Sequence, residues 1–389
     1  MKVLGAGLTD KFISSFIDIP LILQVALVIY LAALFIQLLY LLVAYSRIIW
    51  YKPPVSRTKK VPVSVVICAK NEEQNLRDHL PRILKQDYPE FEVVVVNDSS
   101  TDDSEQILME LAGQFAKFRY TSIPVDDRFK RGKKLALTIG LKAARYEHVV
   151  LTDADCYPVS QHWLKAMASN FSKEHRIVLG YGGYEKKKGL LNTLIRYETT
   201  FTAIQYLSYA IKGKPYMGVG RNLAYEKALF FENKGFASHY HLQSGDDDLF
   251  VNANANAKNC IVEFSPESHT LSRPEVTFLA WIKQKKRHLS AGSHYKSASR
   301  FRLASEWFSR ITLYITLIWI CISSPWGIVA GVFFGILLIT RLVIFKMGMR
   351  RLDEKNLLLP SLLLDAVFPI FMGAIWLSSR FEKKSQTWR

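Results

Sequence analysis

Three observations predict an α/β fold in which a mainly parallel sheet with flanking helices is joined to transmembrane helices. Near-continuous apolar runs such as "VSVVICA" (Val63 to Ala69) and "FEVVVVN" (Phe91 to Asn97) read as strands buried on both faces, as strands of parallel sheets are. Helix-length patterns from Asp102 to Phe115 and from Gly132 to Ala144 alternate with such runs and supply the crossovers a parallel sheet needs. Long stretches without charge, beginning with Leu21 to Tyr45, match a hydrocarbon core of about 30 Å.

The chain divides accordingly. Residues 1–20 are of mixed character and form an unassigned N-terminal segment. Residues 21–45 are interrupted only by Gln24 and Gln37 and read as a transmembrane helix. No small-residue cleavage site follows, so the segment reads as an anchor rather than a signal peptide. Arg47, Lys52, Arg57, Lys59 and Lys60 come next, and by the positive-inside rule they place the following segment in the cytoplasm. Residues 62–275 form the soluble α/β domain, with further strands at Phe118 to Ile123, His148 to Leu151 and Arg176 to Gly180. Pro81 is expected to kink or restart the first helix. Residues 276–300 mix Phe278, Leu279, Trp281 and Ile282 with Lys283, Lys285, Lys286 and Arg287, which suits an amphipathic helix on the inner membrane surface. Residues 308–346 are predicted to form a transmembrane hairpin that turns at "SSPWG". Residues 357–378 contain Pro360, Asp365 and Pro369 and read as a transmembrane or re-entrant segment, because a mid-membrane Asp costs about 2.5–3.5 kcal/mol unless it is packed against protein.

Charge and cysteines narrow the partners. Lys plus Arg number 51 against 34 Asp plus Glu, a net charge of +17. Such a balance suits nucleic acid, anionic lipid or a phosphate-bearing ligand. The basic clusters flank the apolar segments, and no nucleic-acid-binding motif is present, so the reading is an integral inner or plasma membrane protein with a cytoplasmic catalytic domain and no nucleic-acid partner. Cys68, Cys156, Cys260 and Cys321 lack zinc-type or paired spacing and fit small core residues in a reducing compartment.

The chemistry lies at the strand ends. "KNEE" follows the first strand with Asn71 and Glu72, "NDSSTDD" ends the second with Asp98, and "TDAD" follows the fourth with Asp153 and Asp155. Ligands bind at the carboxyl edge of open α/β sheets. Asp153 could open a turn and Asp155 cap a helix, and Ser99 to Asp103 reads most simply as a helix cap. Three acidic strand ends facing one crevice exceed what turns require and point to a nucleotide site, with a Mg²⁺ or Mn²⁺ ion between Asp153 and Asp155. In "FKRGKKLALTIG", Lys130, Arg131, Lys133 and Lys134 surround Gly132 at a helix start, where anions are favoured; a solvated basic face is the alternative. "SGDDDLF" places Asp246, Asp247 and Asp248 at another helix start, more carboxylates than a cap uses, and one of them is a candidate general base.

The ordered set "KNEE", "NDSSTD", "RGKKLAL", "TDAD", "GDDD" and "QKKRH", spread from Pro62 to Tyr295, resembles the membrane-bound family 2 glycosyltransferases, which include hyaluronan and cellulose synthases and ceramide glucosyltransferase. The resemblance implies a GT-A fold, inverting transfer from a nucleotide-diphosphate sugar, UDP-linked in our reading, and a divalent metal. It implies Glu72, Asp98, Lys133 and Asp153 as donor contacts, Asp155 with Asp153 at the metal, and Asp247 as the catalytic base. Gln284 and Arg287 match the family's QxxRW motif beside the donor diphosphate, with His288 where that motif has Trp. Asn97 and Ser99 stand where the family has Asp and Gly. "GVGRNLAY" resembles the acceptor-side loop, which would put Gly220, Arg221, Asn222 and Asp246 near the acceptor; an ordinary glycine turn before a helix is the alternative. A lipid or lipid-linked acceptor is the first expectation, since few apolar segments follow the catalytic part. A processive polysaccharide synthase with a saccharide acceptor, or transfer to a polyprenyl phosphate, is the alternative.

Overall fold

The computed structural model describes residues 19–53, 60–124, 132–242 and 244–381. The N-terminal residues 1–18, the basic residues Arg57, Lys59, Lys130 and Arg131, and the C-terminal tail lie outside it.

Ten strands are described: β1 (Val63–Ala69), β2 (Phe91–Asp98), β3 (Phe118–Ile123), β4 (His148–Leu151), β5 (Cys156–Pro158), β6 (Ile177–Leu179), β7 (Gly182–Tyr184), β8 (Leu223–Glu226), β9 (Cys260–Val262) and β10 (Thr270–Ser272). Seven form the main sheet in the order β3-β2-β1-β4-β8-β6-β9, and β5-β10-β7 form a small second sheet. Pairing is parallel from β3 to β4 and between β6 and β9, while β8 runs antiparallel to both neighbours. Every residue of β1 and β2 is buried, which is why these strands carry near-continuous apolar runs rather than alternation. In register, Ala69 of β1 faces Asn97 of β2 and Val66 of β1 faces Leu151 of β4, so these strands end along one edge.

Two local expectations change. Helix Glu73–Leu84 runs through Pro81 without restarting. Pro81 falls in the last turn, where one amide donor is lost, and the Lys85 N–H still closes on the Pro81 carbonyl at 3.1 Å. After "GVGRN" the chain enters β8 through a short 3₁₀ turn, Gly220–Asn222, rather than a helix.

Helix Leu21–Leu39 continues through a π-helical turn, Tyr40–Tyr45, into Arg47–Trp50. Helices Ser297–Ser323 and Gly327–Arg351 are joined by a tight turn, and Leu358–Phe381 follows as one helix that includes Pro369. Among the described residues, Leu21–Trp50, Gly327–Arg351 and Leu358–Ser379 are long and apolar enough to cross a membrane. Asp365 is packed against protein: it accepts from Arg310 Nη1 at 3.1 Å and the Tyr314 hydroxyl at 2.7 Å, and also pairs with Arg341. Gln37 joins the group, accepting from Arg341 Nη2 at 2.5 Å and donating to the Glu306 carbonyl at 2.9 Å. Helix Leu190–Ile211 links the bundle to the sheet. Its Tyr206 hydroxyl donates to the Gly180 carbonyl at 2.6 Å, and its Tyr197 ring meets Phe345 and Phe368 at 5.5 and 5.7 Å.

Candidate active site

The shared strand edge is braced by the loops that leave it. Beyond β1, Asn71 takes a left-handed conformation (φ 55°) and accepts the Thr101 N–H at 2.8 Å, while the Glu72 N–H donates to Ser104 Oγ at 3.0 Å. Beyond β2, Ser99 is also left-handed (φ 58°) and donates its hydroxyl to the Ile123 carbonyl at 2.9 Å. A left-handed residue with a Cβ costs roughly 1–2 kcal/mol, which explains in backbone terms why the family pattern has Gly here. Asp98 ends β2 fully buried.

Lys133, the first residue of helix Lys133–Ala143, joins two acidic elements. Its Nζ lies 2.8 Å from Asp153 Oδ1 and 3.0 Å from Asp246 Oδ2. These carboxylates hold the ammonium well above the ordinary lysine value although burial opposes it. The Cys68 thiol at the end of β1 is pushed up by burial and feels the charges of Lys133, Asp153, Asp246 and Asp98.

Asp247 caps helix Asp248–Asn254. Its Oδ1 accepts the Asp248 N–H at 2.7 Å and its Oδ2 accepts the Gly220 N–H at 2.5 Å. A Cβ at Gly220 would stand 3.3 Å from both Asp247 Oδ2 and Lys133 Nζ, so glycine keeps this approach open. Burial, and then the Asp246 charge, push the Asp247 carboxyl up to about 6, within the range of a working base near neutral pH. Asp248 accepts from the Tyr295 hydroxyl at 2.7 Å. Burial and the Asp247 charge push Asp248 up to about 8. Gly245 precedes the acidic run at φ 95°, and a Cβ there would collide with the Leu249 side chain.

A cationic side faces these carboxylates. The Arg221 guanidinium lies 4.4 Å from the centroid of the Tyr184 ring and feels the charges of Asp155 and Asp153. Helix Phe278–Gly292 supplies the rest. Lys285 is spent in a buried pair with Glu198, whereas His288 lies among Lys285, Arg287, Arg221 and Lys133. His288 is exposed, yet protein packed about the ring, and then the four cations, hold it below the ordinary histidine value at the position where the family motif has Trp. Gln284 sits one turn before His288, with its Oε1 buried and unpartnered among the described residues.

The residues present fit a divalent cation. Ligand atoms of Asp153, Asp155 and Cys156 all lie within 4.8 Å of one another. Burial and the neighbouring Asp153 raise the Asp155 carboxyl, the penalty that a bound cation removes. Glu72 is pushed up to about 7 by burial, with Asp155 and Asp153 adding to the rise, which places it on the same side of the crevice.

Asn222 has a different setting from the other expected site residues. Its amide is fully buried, accepts from Trp163 Nε1 at 3.0 Å and donates to the Tyr181 and Ser268 carbonyls at 2.8 and 2.7 Å, so both donors bind protein. Tyr184 and Tyr295 were not singled out from sequence, and no motif marks them. Lys134, grouped from sequence with Lys133 at an anion-favouring helix start, instead donates to the carbonyls of His239, Leu242 and Ser244.

The family model of glycosyl transferase family 2 matches residues 64–230. That of glycosyl transferase family group 2 matches residues 148–377, more than half of the chain. A poly-β-1,6-N-acetyl-D-glucosamine synthase of Staphylococcus epidermidis is 34% identical over 93 residues, 24% of this chain and 21% of that protein. Its Staphylococcus aureus counterpart is 27% identical over 145 residues, 37% of this chain and 34% of that protein. The matches therefore span between a fifth and about a third of these curated relatives. A mannosyltransferase of Pyrobaculum calidifontis, solved with GDP-mannose and Mn²⁺, superposes with a TM-score of 0.60 over 94% of this chain and 100% of that one, at 18% identity. The likeness is one of fold.

Proposed function

From the premise that the chain belongs to the family 2 glycosyltransferases, we propose that it transfers a sugar, with inversion, from a nucleoside-diphosphate donor to an acceptor hydroxyl at the crevice around Lys133. The observation that carries this reading is the convergence of Asp153 and Asp246 on the Lys133 ammonium with Asp247 beside it, which sets a donor side and a base side a few ångströms apart. Glu72 and Asp98 accept from the nucleoside, and Gln284 offers its amide to the donor. Asp153 and Asp155 would hold a Mg²⁺ or Mn²⁺ ion, which when bound supplies neutralisation of the diphosphate. Asp247, oriented by the Gly220 and Asp248 N–H groups, takes the acceptor proton as the hydroxyl attacks the anomeric carbon. Lys133, Arg221 and Arg287 stabilise the charge that develops on the departing diphosphate. A single displacement inverts the configuration, since no second carboxylate serves as a nucleophile.

For the acceptor, the two staphylococcal relatives favour the growing end of a saccharide over the lipid expected first from sequence, and an N-acetylglucosaminyl donor, UDP-linked, over other sugars. A lipid-linked acceptor is the second reading. It is favoured by Trp281 and Phe278, which pack on Phe371 of an apolar helix at 5.7 and 5.6 Å and so set the crevice beside the membrane. The catalytic domain lies in the cytoplasm, on the side of the basic clusters. Membranes carrying the full chain, incubated with labelled UDP-N-acetylglucosamine and other labelled nucleotide sugars, test both readings. Label in a solvent-insoluble polymer that a hexosaminidase releases supports the first. Label confined to the lipid extract supports the second, and no transfer from any donor contradicts both.

A further inference from the structure

Two consecutive lysines open helix Lys133–Ala143, a place where the helix dipole disfavours cations. Each must therefore be held by something stronger. Lys133 turns to the carboxylates of the crevice. Lys134 turns away and is buried, and its ammonium donates to three backbone carbonyls: His239 at 2.7 Å, Leu242 at 2.8 Å and Ser244 at 2.8 Å. An ammonium has three donors, and here all three are used on one loop. That loop leads through left-handed Gly245 directly into Asp246 and Asp247. The cation is also surrounded at longer range by Asp246, Asp247 and Asp248. Among the described residues no other side chain bonds these three carbonyls; the Leu242 N–H closes on the His239 carbonyl at 3.1 Å, but only the ammonium ties all three together.

We propose that Lys134 is a positioning residue for sugar transfer: by gathering the carbonyls of His239, Leu242 and Ser244 it fixes the loop that presents Asp246 to Lys133 and Asp247 to the acceptor. The inference rests on the reading of Asp247 as the base. Methionine keeps the length and apolar stem of Lys134 but donates nothing, and glutamine restores at most two of the three bonds.

The test uses full-length protein in detergent, with amide hydrogen exchange over residues 239–247 and steady-state transfer measured side by side. In Lys134→Met, exchange in that loop should accelerate at least tenfold while the strands of the main sheet keep their protection. Turnover should fall 10- to 100-fold with the donor KM changed less than threefold, and Lys134→Gln should recover part of both. Asp247→Asn serves as the control, since it should abolish transfer without loosening the loop. If Lys134→Met leaves loop exchange unchanged, or loosens the loop without lowering turnover, the positioning role is wrong. If Asp247→Asn retains transfer, the base assignment fails instead, and the two failures are told apart. Should Lys134→Met not fold, the same readouts on Lys134→Gln decide: faster loop exchange with lower turnover supports the role, and wild-type values of either overturn it.

Discussion

The crevice and the bundle of apolar helices both bury opposite charges, but they balance them differently. In the bundle, Asp365 is met by Arg310, Arg341 and Tyr314, and Glu306 pairs with Arg310, so two carboxylates meet two guanidiniums. In the crevice, Lys133 is the one cation among the described residues that bridges Asp153 and Asp246, while Asp247, Asp155 and Glu72 keep raised carboxyls beside them. A closed set of charges holds helices together. An open set holds a place for a ligand's charge. The difference teaches that the number of buried ions says little by itself; which of them lacks a partner separates the site from the scaffold.

Breaking the open set should silence chemistry without loosening the fold. Asp247→Asn is expected to lower transfer about 10³-fold while donor affinity changes less than threefold, read by product formation and by calorimetric titration with the nucleotide. Breaking the closed set should do the reverse. Asp365→Leu leaves two buried guanidiniums with one carboxylate, Arg310 keeping Glu306 and Arg341 keeping only the Gln37 amide oxygen, and should cost about 3–5 kcal/mol, seen as a lower melting temperature in detergent, with transfer per folded molecule near wild type. If Asp365→Leu melts like wild type, the bundle set is not closed in the sense drawn here.

Acidity gives a gentler probe. A base must be deprotonated to accept a proton, and the deprotonated fraction of a group near pH 6 rises with pH through that value. Because burial and Asp246 lift Asp247 to about 6, kcat/KM should be level above pH 7 and fall about tenfold for each unit below 6. A profile level down to pH 4 would mean that the base is an ordinary exposed carboxylate. The smallest effect concerns Asp153→Asn without metal. Removing one of two neighbouring carboxylates relieves the repulsion that raises Asp155, and losing the Lys133 pair offsets it, so the melting temperature should shift by less than about 1 kcal/mol equivalent.

The long buried strands and the acidic strand ends were legible because each is a local signal: β1 and β2 are near-continuous apolar runs, and Glu72, Asp98, Asp153 and Asp155 stand at or just beyond strand ends. Strand β6 was legible as "RIVLG", but β5 and β7 to β10 are only three or four residues long, too short to carry a period, and β8 was hidden by the glycine-rich turn before it. Lys134 and Tyr295 act through partners more than forty residues away, on the loop before Gly245 and on Asp248, and spacing along the chain cannot report such contacts. Asn222 looked like a site residue for the same reason. Its motif is local, but the fate of its amide was decided by Trp163, Tyr181 and Ser268.

The central claim is that the unmatched carboxylates of the crevice take up a cation together with a nucleoside diphosphate. Titrating UDP into the purified full chain, with and without Mn²⁺, in wild type and Asp155→Asn, tests it most directly. Binding that requires Mn²⁺ in wild type and is lost in Asp155→Asn is the expected result; UDP binding of equal strength with or without the metal, unchanged by Asp155→Asn, would contradict it.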